Sequence, residues 1–302
     1  MNLESLNRCV YCGSRDMHTA LITKDYSDDT LPSYSFSQCN DCALLFQNPR
    51  VPESAIGSFY KKNYQPYSAQ YNKITELFIA RRTKREVREF KRLNPKLKRV
   101  LEIGCSWGKY LMALRDYGGL ETVGVEIHEE SSRAGKKLQL DIRSGDLLSQ
   151  KFPSNSFDLV VMNHVIEHLY NPVETLREVK RALSSGGVLF IRTPNIKSLD
   201  RAIFGNYWLD YDPPRHIALF SPPLTQQLLS SIGFKDVKIK YESLPNEFIL
   251  SIRNMLRDKN LPSGLVNFFN LNNYLLLIFF ALPALMFGLL GSGRMIVYCK
   301  KP

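Results

Sequence analysis

Two groups of residues in this chain sit at spacings that could do chemistry. Cys9 and Cys12 in "CVYCG", and Cys39 and Cys42 in "CNDCA", form two C-x2-C pairs separated by 26 residues. Each pair can place two thiolates on one tetrahedral ion, so the four together read as a closed zinc site, structural or partner-binding rather than catalytic. Further on, "MNHVIEHLYN" carries His164, Glu167 and His168 in the order H-x-x-E-H, the spacing of an inverted zinc-peptidase motif. Such peptidases hold both histidines inside a helix. Here "DLVVMN" before His164 is a strand and Pro172 opens a new helix, which leaves room for one helical turn at most. The peptidase reading therefore fails, and Glu167 and His168 are expected to be packing and capping residues.

A third group is "VLEIGCSWGKYL", which sets Glu102, Gly104, Ser106 and Gly108 at the tip of a strand and the start of the next helix. Open α/β sheets bind ligands there. A dinucleotide site wants G-x-G-x-x-G, so that a pyrophosphate can rest on the helix N-terminus, and the spacing here differs. Glu102 would repel those phosphates but attract a ligand bearing an ammonium and a sulfonium, which points to S-adenosylmethionine. Glu126 ends the following strand in "VGVEI", eighteen residues after Gly108, and can accept both ribose hydroxyls. Asp146 in "SGDLL", with Leu147 beside it, ends the third strand, suitably placed to accept from an adenine amino group. Strand-end acids are common one at a time; three in order on successive strands are specific.

The elements that must position these residues follow from the hydropathy pattern. Residues 1–50 are Cys-paired and rich in loops, and read as a small zinc-knuckle module. Residues 51–96 read as a helical connector, in which Ala80, Thr83, Val87 and Phe90 recur at helical spacing. From 97 to 302, short apolar runs such as "RVLEIG", "ETVGVEI", "FDLVVMN" and "GGVLFIRTPN" alternate with helices of about ten residues. That alternation predicts an α/β fold, a doubly wound, seven-stranded, mostly parallel sheet, interrupted by an apolar helical insertion at about 245–292.

These motifs, "LEIGCSWG", "VGVEI", "SGDLL", "FDLVVMNHVIEHL" and "GGVLFIRTPN", resemble in order those of class I S-adenosylmethionine-dependent methyltransferases over about residues 97–240. The first motif of that family is usually E/D-x-G-x-G-x-G, and Ser106 stands here in place of the middle glycine. The resemblance implies that Asn163 and His164, at the tip of the fourth strand, border the methionine end of the cofactor. Methyltransferases of bacterial sugar and cell-envelope pathways that this chain resembles carry a similar pair of N-terminal zinc knuckles.

Methyl transfer to a hydroxyl calls for alignment and a base, and histidine is the natural base near neutral pH. The candidates are His164, His216 and His18. His216 lies in "WLDYDPPRHIALFSP", where related enzymes build the substrate wall. It is the expected base, with Arg215 and Tyr211 as substrate contacts.

Composition sets the remaining limits. The 302 residues are 44% hydrophobic, ample for a core, and the formal charge is +11. Ten Lys or Arg between 81 and 99 supply most of that excess, as expected of a solvated helix face. No apolar stretch in "MNLESLNRCVYCG" could serve as a signal peptide, so the expected location is the cytoplasm. The uncharged segment "YLLLIFFALPALMFGLL", residues 274–290, lies between two expected neighbouring strands, so a single crossing of a membrane would separate them. It is expected to be a buried lid over the pocket or a hairpin dipping into the bilayer face, with peripheral attachment preferred. The expected acceptor is a hydroxyl of a sugar or of a lipid-linked envelope precursor. An RNA methyltransferase and a non-catalytic zinc scaffold are the alternatives; without an aromatic-interleaved basic patch, nucleic acid is disfavoured.

Overall fold

A computed structural model describes residues 3–60 and 73–302 of the chain; residues 61–72 of the expected connector lie outside the described residues. The N-terminal region builds a small antiparallel sheet from β1 (Met17–Lys24), β2 (Ser33–Cys39) and β3 (Leu45–Gln47). The sequence pattern indicates a strand, turn and strand for the latter two; β1 is additional.

The second sheet has seven strands. β4 (Arg99–Ile103), β5 (Glu121–Glu126), β6 (Asp141–Ser144), β7 (Phe157–Asn163) and β8 (Leu183–Thr193) run parallel. After the two-residue β9 (Ala218–Leu219), β10 (Lys235–Glu242) and β11 (Arg294–Lys300) add an antiparallel edge. The order is β10-β11-β8-β7-β4-β5-β6, the doubly wound arrangement expected. β9 does not join this sheet. It pairs with β3, Leu45 opposite Leu219 and Phe46 opposite Ala218, so the Cys-rich segment shares a sheet with a loop of the larger domain.

Strand residues with period 2 feed two cores, one on each face. Leu101, Val160, Met162 and Leu189 point to one, and Val100, Leu159, Val161 and Phe190 to the other. The helices are α1 (Lys73–Leu93), α2 (Lys109–Gly118), α3 (Glu129–Lys137), α4 (Pro172–Ala182), α5 (Leu199–Phe204) and α6 (Pro222–Ile232). α4 and α6 cover the first face through Leu176, Val179, Leu228 and Leu229. α1 covers the second with Val87 and Phe90, whose burial contributes about 1.5–3 kcal/mol each. Arg81, Lys84, Arg85 and Arg88 are exposed on the outer side of α1.

α6 shows how the sequence sets helix ends. The Ser221 side chain accepts from Leu224 N, Pro222 opens the first turn, and Gly233 closes the helix at φ +91°.

The insertion comprises α7 (Pro245–Asp258), α8 (Ser263–Phe268) and α9 (Tyr274–Leu289), with Pro283 inside α9. α9 is neither a buried lid nor a hairpin. It is one helix resting on α7, with Phe280 stacked on Phe248 at 5.5 Å and Phe287 at 5.1 Å from the same ring. Its outer residues Leu275, Ile278, Phe279, Leu282, Leu285, Met286 and Leu289 are 53–79% exposed. Among the described residues, no helix is long and apolar enough to cross a membrane.

Candidate active site

The C-terminal tips of β4, β5, β7 and β8 bring most of the expected residues together. After β4 the chain must turn sharply into α2, and two glycines make that possible. Gly104 (φ +67°) lies where a Cβ would stand 2.6 Å from Val165 Cγ2, and Gly108 (φ +74°) where one would stand 2.6 Å from Leu140 Cδ1. Ser106 between them also adopts positive φ, +49°. A non-glycine residue there costs about 1 kcal/mol, and its backbone N–H donates to Glu126 Oε2 at 2.8 Å. His128 N donates to the other oxygen of Glu126 at 3.2 Å, so the acid that ends β5 is aimed at the loop.

Glu102 is buried within β4. Its Oε1 faces Asn163 Nδ2 at 3.4 Å, while Oε2 is buried with no hydrogen-bond partner among the described residues. Burial raises its pKa to about 8, opposed by Asn163 and reinforced by Glu126. A buried carboxylate oxygen without a donor suits a cationic ligand, so the site fits the ammonium of S-adenosylmethionine. Asp146 lies exposed just beyond β6 and caps the following turn through Ser149 N at 2.8 Å, with Leu147 buried behind it.

Asn163 and His164 occupy the tip of β7. Arg192 of β8 donates to Asn163 Oδ1 at 2.7 Å and to Glu86 Oε1 at 2.8 Å, tying α1 to the site. His164 has φ +52°, and its Nδ1 pairs with Glu167 Oε1 at 3.0 Å. The segment after it is a single 3-10 turn, Ile166–His168, and not a peptidase helix.

Glu167 is fully buried and also accepts from the Thr193 hydroxyl at 3.0 Å. Burial alone would raise its pKa, but the hydrogen bond from His164 and the surrounding imidazoles hold it at about 2. Burial, and then the neighbouring His216 imidazole, lower the His168 pKa to about 4. The rings of His168 and His216 meet edge to face at 4.7 Å, and both Nδ1 atoms lie against backbone carbonyls: Arg215 O at 2.8 Å and Asp210 O at 2.7 Å. Tyr60 links this cluster to the cofactor side, its ring 6.1 Å from His168 and 5.6 Å from His128.

Arg215 and Tyr211 do not take the places expected of substrate contacts. Arg215, 2% exposed, donates to Asp25 and Asp212 and clasps the loop between β1 and β2. Tyr211 is core: its ring packs on Phe36 and Trp208, and its hydroxyl accepts from Arg201 at 2.9 Å. His18 is exposed on β1, paired with Asn40 at 2.9 Å, and takes no part in the histidine cluster. Sequence reasoning missed Arg192, Tyr60 and the clustering of Glu167 and His168 with His216. The H-x-x-E-H spacing was the available signal for Glu167 and His168.

Beyond this site, the four N-terminal cysteines converge. Cys9 Sγ stands 3.6 Å from Cys42 Sγ and Cys12 Sγ 3.5 Å from Cys39 Sγ, with all four within 4.8 Å. Sulfurs on one tetrahedral zinc, with bonds of about 2.3 Å, lie roughly 3.8 Å apart, so the donor set fits that ion.

A family model described as a methyltransferase domain matches residues 71–239, more than half of the chain. Malonyl-[acyl-carrier protein] O-methyltransferase of Paenibacillus sp. (strain JDR-2) is 27% identical over 178 residues, covering 52% of this chain and 64% of that protein. The match thus spans less than two thirds of that relative. A SAM dependent methyltransferase from Archaeoglobus fulgidus superposes with a TM-score of 0.50 at 23% identity, covering 74% of this chain and 94% of that one. Phosphoethanolamine N-methyltransferase 2 of Haemonchus contortus, in complex with S-adenosyl-L-methionine, gives a TM-score of 0.50 at 16% identity, covering 95% and 68%. At such identities the structural likeness speaks for the fold.

Proposed function

Since the chain belongs to the methyltransferase-domain family, we propose that it is an S-adenosylmethionine-dependent methyltransferase whose acceptor is a hydroxyl, on a sugar or a lipid-linked envelope precursor. One observation supports this reading: the imidazoles of His168, on the turn that follows Asn163 and His164, and of His216 meet edge to face at 4.7 Å, with both Nδ1 atoms engaged by backbone carbonyls. A hydroxyl must lose its proton as it is methylated, whereas a thiolate or a free amine needs less help.

S-adenosylmethionine, when bound, supplies the electrophilic methyl. Glu102 would accept from its ammonium, Glu126 from its ribose hydroxyls and Asp146 from its adenine amino group. Gly104 and Gly108 let the backbone approach closely, and Asn163 and His164 border the methionine end. His216 would take the acceptor proton on Nε2. Nδ1 of His216 lies 2.7 Å from Asp210 O, a contact that orients the ring.

Cys9, Cys12, Cys39 and Cys42 would hold a structural zinc that fixes the small sheet. The apolar outer face of α9 supports a lipid-linked acceptor met at the cytoplasmic face of a membrane, with α9 as a peripheral contact.

Calorimetric titration with S-adenosylmethionine and S-adenosylhomocysteine tests the cofactor site, with Glu126→Ala expected to abolish micromolar binding. An acceptor screen beginning with lipid-linked sugars tests the acceptor. Methylation of amines or RNA but of no hydroxyl would overturn that reading.

A further inference from the structure

The H-x-x-E-H turn and the loop carrying His216 place three metal-ligating side chains together, apart from the four cysteines. We propose that Glu167, His168 and His216 form a second metal site, which binds a divalent transition-metal cation at the edge of the acceptor pocket.

The geometry comes first. One nitrogen of each imidazole and one oxygen of Glu167 lie within 4.8 Å of one another. Metal–nitrogen and metal–oxygen bonds of about 2.0–2.2 Å require ligand atoms roughly 3–4 Å apart, so modest side-chain rotation closes the set.

The tautomers come second. A carbonyl can only accept, so the contacts of His168 Nδ1 with Arg215 O and of His216 Nδ1 with Asp210 O place the proton on Nδ1 in both rings, and the Tyr60 hydroxyl, 3.1 Å from His168 Nδ1, then accepts as well. Each Nε2 is then a lone pair. His216 Nε2 stands 4.0 Å from Asp212 Oδ2, an acceptor already shared with Arg215. Two imidazole lone pairs and a buried carboxylate therefore belong to one small cluster, an arrangement that a cation stabilises.

The supports around the ligands come third. Metal-ligating histidines characteristically donate their other N–H to a carbonyl, and ligating carboxylates are themselves hydrogen-bonded. Both features are present, the second through Thr193 and His164 on Glu167.

Two imidazoles and one carboxylate suit zinc, iron(II), cobalt(II) or manganese(II), and they leave coordination positions open for an acceptor oxygen. The assignment of the site stands by itself, but its role rests on the methyl-transfer reading. His216 Nε2 cannot hold a proton and a cation together. In the loaded site His216 is a ligand, the cation lowers the pKa of the coordinated hydroxyl, and that proton leaves to water.

Cobalt(II) titration of the full-length, metal-stripped chain, followed by absorption and elemental analysis, tests the site. Two equivalents are expected, one with thiolate-to-metal charge transfer and one without. His168→Gln and His216→Gln should each lose only the second equivalent, and Cys39→Ser should weaken only the first. A folded wild-type chain that takes up one equivalent, of thiolate type, overturns the proposal. So does a second equivalent that survives in both histidine variants. S-adenosylmethionine binding, measured in parallel, reports separately on the methyl-transfer reading.

Discussion

Arg192 donates to Oδ1 of Asn163 at 2.7 Å, and this contact decides which way the amide faces: its NH2 end must turn toward Glu102. The cofactor pocket is thus oriented from beneath by a cation that Glu86 of α1 holds in place. Arg192→Met removes a charge-assisted hydrogen bond worth about 1.5–3 kcal/mol, which corresponds to a loss of roughly 10- to 100-fold in S-adenosylmethionine affinity. Calorimetric titration checks the affinity. Thermal unfolding should show an accompanying loss of stability, because Glu86 keeps Arg82 and Tyr110 but loses its partner on β8.

Glu102 predicts a proton released on cofactor binding. Its folded-state pKa, raised to about 8, exceeds that of an ordinary carboxyl, so the ligand-free protein carries it protonated near neutral pH. An ammonium beside it favours the carboxylate. Binding enthalpies measured near neutral pH in buffers of different ionisation enthalpy should therefore differ, and Glu102→Gln should abolish the difference. The sign for stability follows from the same shift: the contribution of the buried neutral acid is complete below the unfolded pKa and is lost as pH rises through about 8. Unfolding midpoints of the ligand-free protein, compared with those of Glu102→Gln across that range, check it.

Removal of metal from the four cysteines should lower the unfolding midpoint sharply, since structural zinc contributes on the order of 10 kcal/mol in small domains. Cys39→Ser should do the same without added chelator. An unchanged midpoint in both experiments would argue that the thiols hold nothing.

The outer face of α9 predicts binding to anionic vesicles. Ile278→Asp with Phe279→Asp should reduce co-sedimentation strongly, yet change stability by only about 0.5 kcal/mol or less per site, because both side chains are exposed. Retained vesicle binding in the double variant would exclude this face.

The large sheet was legible in the sequence because its strands are short apolar runs with strong boundaries, and the acids that end them follow from strand length alone. Gly104, Gly108, Glu102 and Glu126 lie where that reasoning puts them. Arg215 and Tyr211 do not, because a polar residue in a substrate-wall motif reads the same whether it faces a ligand or a buried partner. Here Asp25, 190 residues away, claims the guanidinium. The pairing of β3 with β9 was equally hidden, since a two-residue strand has no periodicity. The conformation of α9 was misjudged for a different reason: hydropathy reports what a segment avoids, not whether protein or another medium covers it.

That short β3–β9 pairing has a consequence for how the chain can be cut or recombined. His216 lies two residues before β9, and the Gln47 side chain of β3 donates to its backbone oxygen at 2.7 Å. The cysteine-rich segment is therefore not an exchangeable cassette. A chimera that borrowed it from elsewhere, or a truncation that began at the large sheet, would strip an edge from the strand beside the reacting groups, so both parts are expected to unfold as one cooperative unit.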